Sequence, residues 1–383
     1  MVQNRDQSMS RHPNAKGSRS SRLWSRGFLL PFIGLAYCMF PLTASAAVPK
    51  GLSQTQNISY DTEMIRNVME LLNQCHHDSV LAICNTLIKN DPASPVGYFL
   101  ASDTYQTVMR DYRVRTYQAV FDSLIEIAVQ KASARLDQDS TAESHFVAGA
   151  VQGYYCLALF HAGSYVRAIK TAGNSVSLLR KAAQLDPNFV DPLFGIAIYE
   201  YTRSKLLFGL LGGKKQEAIA KLRKVEQSGR YVAANASYSL QSIYFENEQY
   251  DSALVINDQL FRRYPSSPSA LYNRAMLLEK THRPQEALAV WNTLTGVLQQ
   301  RHPASNGFLA ESYFHLACLQ QQLKNDQSAK KLLIQAAQFA ARRRSEDEIE
   351  GSYVKFKEIK SRINEALRTW GQGQSTLEPA PAN

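Results

Sequence analysis

The feature that most constrains this chain is a small residue returning at a nearly constant interval. Ala253 and Ala287 stand 34 residues apart, in SALVINDQL and EALAVWNTL, each followed by helical apolar spacing. Ala218 lies 35 residues earlier, in EAIAKLRKV, and Ala329 lies 42 residues after Ala287, the excess falling in the turn-rich RHPASNG. A recurrence of this length marks a chain built from stacked units. Before each of the last three alanines runs a second helical pattern: ASYSLQSIYFE, SALYNRAMLLE and ESYFHLACLQQ. The polar turns NEQYD, THRPQ and LKNDQ divide the two halves. Pro265, Pro187 and Pro92 close units, because proline lacks an N–H and restricts the residue before it.

Close approach explains the pattern. A small residue on one helix lets the next helix come near, and bulky neighbours then fill the remaining space at interior density. No unit covers its own apolar face, so each is stabilised by stacking on others.

These positions resemble the tetratricopeptide repeat, a 34-residue helix–turn–helix. The resemblance rests on Leu240, Ala275 and Ala317 in the first helices, the periodic alanines in the second, Trp291 at the aromatic site after Ala287, and the terminal prolines. Asn257 departs from the aromatic site, and only Gly149 and Gly195 stand where the family places glycine. The units across 234–342 match well, those at 61–94, 95–135 and 190–228 less closely, and 142–184 only in outline. The resemblance implies an all-α, right-handed α-solenoid of about six or seven TPR-like hairpins. Exported bacterial proteins of this type are similar in their central LDPNFVDPLFGIAIYEY block. Its expected divisions are a signal peptide (1–46), a flexible lead (47–59), divergent repeats (60–189), repeats (190–342), a capping helix (343–370) and a disordered tail (371–383).

The formal charge of +10 suggests nucleic acid until it is located. Arg5, Arg11, Lys16, Arg19, Arg22 and Arg26 stand against Asp6 alone in the first 46 residues, so half of the excess belongs to that stretch. After Arg26 comes GFLLPFIGLAYCMFPL, free of charge, and then Ala44-Ser45-Ala46, the small residues a signal peptidase accepts. Pro31 and Pro41 and the short apolar length speak against a permanent membrane helix. The chain is therefore expected to be exported to the periplasm, starting at Met1 or Met9, with the mature protein beginning at Ala47. Lipid anchoring at Cys38 fits less well, because bulky Tyr37 precedes it. Of the remaining cysteines, Cys75 and Cys84 are too far apart along one helix to bridge, and Cys156 and Cys318 sit in apolar helical stretches, so no disulfide framework is expected.

Several stretches invite a chemical reading. Cys75-His76-His77-Asp78 holds metal ligands, but adjacent residues cannot all face one ion. GLLGGKK (209–215) lacks the spacing of a phosphate loop and its hydroxyl after the lysine. Arg342-Arg343-Arg344 runs straight into Glu346, Asp347, Glu348 and Glu350, a balanced surface rather than a nucleic-acid patch. Neither metal, cofactor nor nucleic acid is expected, and no nucleophile motif argues for an enzyme.

One feature rises above packing. The same position of successive first helices is aromatic: Phe99, Phe194, Tyr238, Tyr272 and Phe314. Residues four and seven further on continue the stripe, giving Ile198 and Tyr201, Ser242 and Phe245, Met276 and Glu279, Cys318 and Gln321. Asn235, Asn273, Glu311 and His315 flank it. The resemblance implies that the stripe lines a concave groove holding a peptide or partner protein. Rings that plug gaps between adjacent first helices would give the same pattern, and the residues leave both open.

The expected function is a non-catalytic protein-interaction scaffold of the bacterial envelope, peripherally associated with the outer membrane if at all. The alternatives are an accessory subunit of an envelope assembly, docking by its convex face or by the apolar connector KLLFGLLGG (205–213), and an enzyme or small-ligand carrier using the groove. For an enzyme, His315, Glu311 and Glu279 form the only visible cluster, and they are spread over two repeats.

Overall fold

The computed structural model describes residues 62–206 and 212–371. The expected signal peptide and lead, the expected tail from 372 onward and the core of the apolar connector lie outside them. The described residues form fifteen helices: α1 (Thr62–Asn73), α2 (His77–Asn90), α3 (Val96–Tyr112), α4 (Gln118–Gln138), α5 (Ala142–His161), α6 (Tyr165–Leu185), α7 (Pro192–Leu206), α8 (Gly212–Ser228), α9 (Ala233–Glu246), α10 (Tyr250–Arg263), α11 (Pro268–Lys280), α12 (Pro284–Gln299), α13 (Asn306–Gln322), α14 (Asp326–Arg342) and α15 (Phe356–Gly371). The first fourteen pair as seven hairpins, and every helix packs on the next.

Local chemistry sets the elements. In α1 the buried Ile65, Val68, Met69 and Leu72 follow the helical spacing of a single apolar face. Thr141, Ser267 and Ser305 cap α5, α11 and α13 by accepting the backbone N–H three residues on, and Pro268 follows its cap at the first helical position. Inside the hairpins the chain turns through a left-handed residue at a repeated place: Cys75, Gly163, Glu248, His282 and Lys324 all have φ between 57° and 73°. Only one of these is glycine. The turn is held because the next residue's N–H reaches back five positions, as from Arg283 to the Leu278 carbonyl at 2.8 Å.

The periodic alanines do what their spacing predicts. Ala218, Ala253, Ala287 and Ala329 have no exposed surface, and neither do their counterparts Leu240, Ala275 and Ala317. Asn257, which departs from the aromatic pattern, is also fully buried, and its side-chain amide donates to the Ala270 carbonyl at 3.1 Å, tying α10 to α11. Gly149 and Gly195 are needed for close approach. A Cβ at either would come within 2.7 and 2.5 Å of the Leu179 side chain.

Two features go beyond stacking. First, the solenoid closes on itself. Glu70 of α1 accepts from Arg263 at 2.6 Å and from the Tyr264 hydroxyl at 3.0 Å. Ser269 of α11 donates to Asp111 of α3 at 2.8 Å, and Arg113 beyond α3 is ion-paired with Glu311 of α13. Second, the segment expected to open the capping helix is not helical. From Arg343 to Lys355 the chain passes through a turn, a single bridge residue and a bend, and α15 begins only at Phe356. The Arg115 N–H donates to the Asp347 carbonyl and the Ile349 N–H to the Arg113 carbonyl, forming an antiparallel bridge between Val114 and Glu348. The Glu348 carboxylate accepts from Ser305 Oγ and the Gly307 and Asn306 N–H groups at the start of α13, where the helix dipole favours an anion. Gly351 sits where a Cβ would meet the Arg113 guanidinium at 2.8 Å. The acidic run that reads as exposed surface is in part a buried fastening.

Candidate functional site

The interior between the first helices holds two adjoining chambers. The larger, about 160 Å³, is walled mainly by carbon: Met69 of α1, Phe99 of α3, Phe146 of α5, Leu179 of α6, and Phe194 and Ile198 of α7. The smaller, about 100 Å³, is more polar and is walled by Thr107, Arg110 and Asp111 of α3, Asn235, Tyr238 and Ser242 of α9, Tyr272 and Asn273 of α11, and Tyr353. Met69, Asp103, Phe194, Ile198 and Asn235 line both.

Asp103 is 4% exposed and accepts a hydrogen bond from the Tyr154 hydroxyl at 2.5 Å. Burial lifts its carboxyl above the ordinary 3.8, against the opposing pull of Tyr154, Arg110 and Thr107. Asn235 Oδ1 is buried and meets no donor. The other carboxylates of the larger wall are satisfied. Asp191 accepts the backbone N–H groups of Arg230, Tyr231 and Val232 at 2.7 to 3.0 Å, and Glu143 faces Arg230 at 4.0 Å.

Beyond the smaller chamber the interior is filled. Tyr353 stacks on Phe245 at 4.1 Å and on Tyr272 at 5.7 Å between ring centroids. The Arg113 guanidinium lies 3.7 Å over Phe308 and 4.5 Å over Tyr272, and it donates to Glu311, which also accepts the Tyr272 hydroxyl at 2.7 Å. Further in, His315 lies flat on Trp291 at 4.6 Å, and both donate to or pair with the Glu279 carboxylate. Burial draws the His315 imidazole down, but the adjacent Glu279 charge and hydrogen bond outweigh it, and its pKa ends above the ordinary 6.5.

The expected groove residues therefore divide. Phe194, Asn235, Tyr238, Ser242, Tyr272 and Asn273 line the chambers, and Phe99 joins them. Phe245, Met276, Glu311, Phe314 and His315 are buried in the core with Glu279 half-buried beside them, so in this conformation they offer a partner no open trough. The physical reason is the closure: α3 and the Arg343–Lys355 segment occupy the space a free solenoid leaves empty. Reasoning from repeats missed Asp103, Tyr154, Arg113, Glu348 and Tyr353. A signal for the first existed, because Asp103 lies four residues after Phe99 and so on the same helix face.

His315 Nε2 and Ser312 Oγ are each buried without a hydrogen-bond partner, so the His315–Glu279 pair activates no hydroxyl here. Among the described residues no group of three His, Cys, Asp or Glu side chains is placed to hold a metal ion, and Cys75, Cys84, Cys156 and Cys318 are all free. His77 of the Cys-His-His-Asp stretch is buried edge-on to Tyr112, at 6.2 Å.

Seven stacked hairpins with αL turns and buried alanines at the repeat positions define an all-α solenoid of the tetratricopeptide type. No family model and no curated protein matches the sequence. Among solved structures, the chain is similar to the APC/C hetero-tetramer Cut9–Hcn1, at 14% identity and a TM-score of 0.44 over 69% of this chain and 43% of that one, less than half its length. It is similar to the C-terminal part of a TPR repeat-containing protein from Cytophaga hutchinsonii, at 14% identity and 0.37, over 73% and 96% of the two chains. A thermophilic TPR protein of Thermus thermophilus aligns at 15% identity and 0.36, over 56% and 98%.

Proposed function

We propose that this protein is a non-catalytic scaffold that holds an extended segment of a partner protein along its inner channel. One observation carries the reading: the channel already holds such a segment of its own. Residues 348–353 leave the turn at 345–347, pair with Arg113–Arg115 by one isolated main-chain bridge, and seat one ring, Tyr353, against Phe245 and Tyr272. Main-chain pairing with side chains in pockets is a general mode of peptide recognition. The chambers at Tyr238, Asn235 and Phe194 continue the same track without an occupant from the described chain. A preformed channel of this kind binds with little ordering cost on the scaffold's side.

The setting proposed is the bacterial envelope, supported by the basic, apolar and small-residue succession over residues 5–46. Peripheral outer-membrane association belongs to the same proposal. A second reading, docking into a larger assembly by the convex face, is favoured by Tyr165 and Val166 at the start of α6, which are exposed side by side.

Site-specific photocrosslinking tests the choice. A photoreactive residue at Asn235 or Ser239 is expected to trap one recurring partner, while the same group at Val255 on the outer face traps none. Crosslinks from Val166 with none from the inner positions would replace the channel reading by the convex one.

A further inference from the structure

The two chambers meet at Asp103 and Asn235, where the carbon-lined larger chamber opens on the more polar smaller one. Every other carboxylate in the larger wall is engaged, as Asp191 is by three backbone donors and Glu143 by Arg230. Asp103 differs. It is buried, it accepts from the neutral Tyr154 hydroxyl and is also reached by the Thr107 side chain, and the charge of Arg110 acts on it without an ion pair between them. Arg110, on the same helix, is 2.9 Å from Asp111 instead. Beside Asp103, Asn235 keeps a buried Oδ1 with no donor, and rotation of its amide would present that oxygen to a guest. Around them stand aromatic faces, with Phe99 edge-on to Tyr154 at 5.2 Å, and Phe146 and Phe194 in the same wall.

We infer that this junction is a binding site for a protonated amine carrying an apolar chain or ring, with the ammonium at Asp103 and Asn235 and the apolar part in the larger chamber. A buried carboxylate, an unpaired acceptor and aromatic rings together form the surroundings that an ammonium group needs when it leaves water. The volume selects the rest of the guest. An apolar cavity of about 150 Å³ stays dry and takes a molecule the size of benzene, and this chamber is about 160 Å³. A guest matched to the larger chamber is an aryl or short alkyl group linked to an amine. The amine comes either from a free small molecule or from the N-terminus of a peptide that begins with an apolar residue. The inference holds whether or not a partner protein uses the remainder of the channel.

Gly153 gives a means of blocking the chamber. A Cβ there meets only the Ser175 hydroxyl, at 3.5 Å, so a larger side chain projects into the space without striking backbone. Gly149 is unsuitable, because Leu179 already occupies that place.

The test is calorimetric titration of the protein with 2-phenylethylamine, the matched alcohol 2-phenylethanol and the matched acid 3-phenylpropanoate. A Phe-Ala-Ala peptide is titrated with its N-terminus free and acetylated. The amine is expected to bind roughly tenfold or more tightly than either neutral or anionic analogue, as a charge-assisted hydrogen bond requires. Asp103→Asn, which keeps the side-chain shape, should abolish that preference without lowering thermal stability. Gly153→Leu should abolish binding of every probe, and Gly153→Ala, the milder change, should weaken it if the leucine variant does not fold. Binding of the free peptide alone assigns the site to a chain terminus, and binding of phenylethylamine alone assigns it to a small molecule. Equal binding of the alcohol, a preference unchanged in Asp103→Asn, or no binding of any probe at millimolar concentration would overturn the inference.

Discussion

Tyr353 lies flat against Tyr272, their ring centroids 5.7 Å apart and their planes 11° from parallel, although 81 residues separate them in the chain. Through this contact a segment beyond the last repeat becomes part of the interior of the earlier ones. Phe245 also stacks on Tyr353, at 4.1 Å, so Tyr353 joins aromatic rings from two earlier segments. Tyr353→Ala is expected to cost about 3–5 kcal/mol, the range for truncating a large buried aromatic residue. Urea unfolding measures the cost. Trypsin should cut sooner at Arg343, Arg344 and Lys355, and unchanged cleavage would show that the other fastenings of this segment suffice.

Arg113 and Glu311 join the first third of the chain to the last hairpin, and both are almost fully buried. Taking two charges out of water costs several kcal/mol per ion, which their attraction and the Tyr272 hydroxyl offset. Glu311→Ala alone should destabilise by about 3–5 kcal/mol, because it leaves the guanidinium uncompensated. The double replacement Arg113→Met with Glu311→Leu should recover most of that loss. A double-mutant cycle by chemical denaturation checks both, and an additive pair would mean that the two charges do not interact across the closure.

The buried His315 makes stability depend on pH in a defined direction. Its folded pKa lies above the ordinary 6.5, held there by Glu279 against the burial that lowers it. The contribution of the pair is therefore complete below about pH 6.5 and is lost as pH rises through the folded value. His77 acts the other way, since burial lowers it. Its contribution is present above 6.5 and is lost as pH falls. The unfolding midpoint should decline on the alkaline side in wild type, and His315→Gln should remove that decline while leaving the acid side unchanged.

How much of this was legible is best judged at particular residues. The hairpins were readable because each alanine and its partner small residue are local, and their packing recurs in every unit. The hairpins from 190 to 342 follow from that spacing and from the polar turns, whereas 61–135 match the repeat less closely and 142–184 only in outline. The closure was not readable. Glu70 with Arg263, Asp111 with Ser269 and Arg113 with Glu311 lie 193, 158 and 198 residues apart, and each pair occurs once. A repeat pattern carries no information on how far the stack curves before its ends meet. For the same reason 343–355 reads as the start of a helix, with acidic residues suited to solvent. Only the approach of the α13 N-terminus turns Glu348 into a buried acceptor.

The aromatic stripe illustrates the consequence, because one repeat position meets two environments. Phe314 is buried against its own chain, whereas Tyr238 borders the smaller chamber and shares a hydrogen bond with the Ser267 hydroxyl at 3.2 Å. Phe314→Ala should lower stability by about 3–5 kcal/mol and should reduce partner capture only in proportion to the unfolded fraction. Asn235→Ala removes an amide whose Oδ1 has no donor, so it should change stability by less than about 1 kcal/mol, since no hydrogen bond to that oxygen is lost. Its effect should fall on binding. Measuring urea stability and photocrosslinking yield for both variants separates the two roles of the stripe. A binding defect in Phe314→Ala at full helicity, with none in Asn235→Ala, would mean that the C-terminal half of the interior opens to receive the partner.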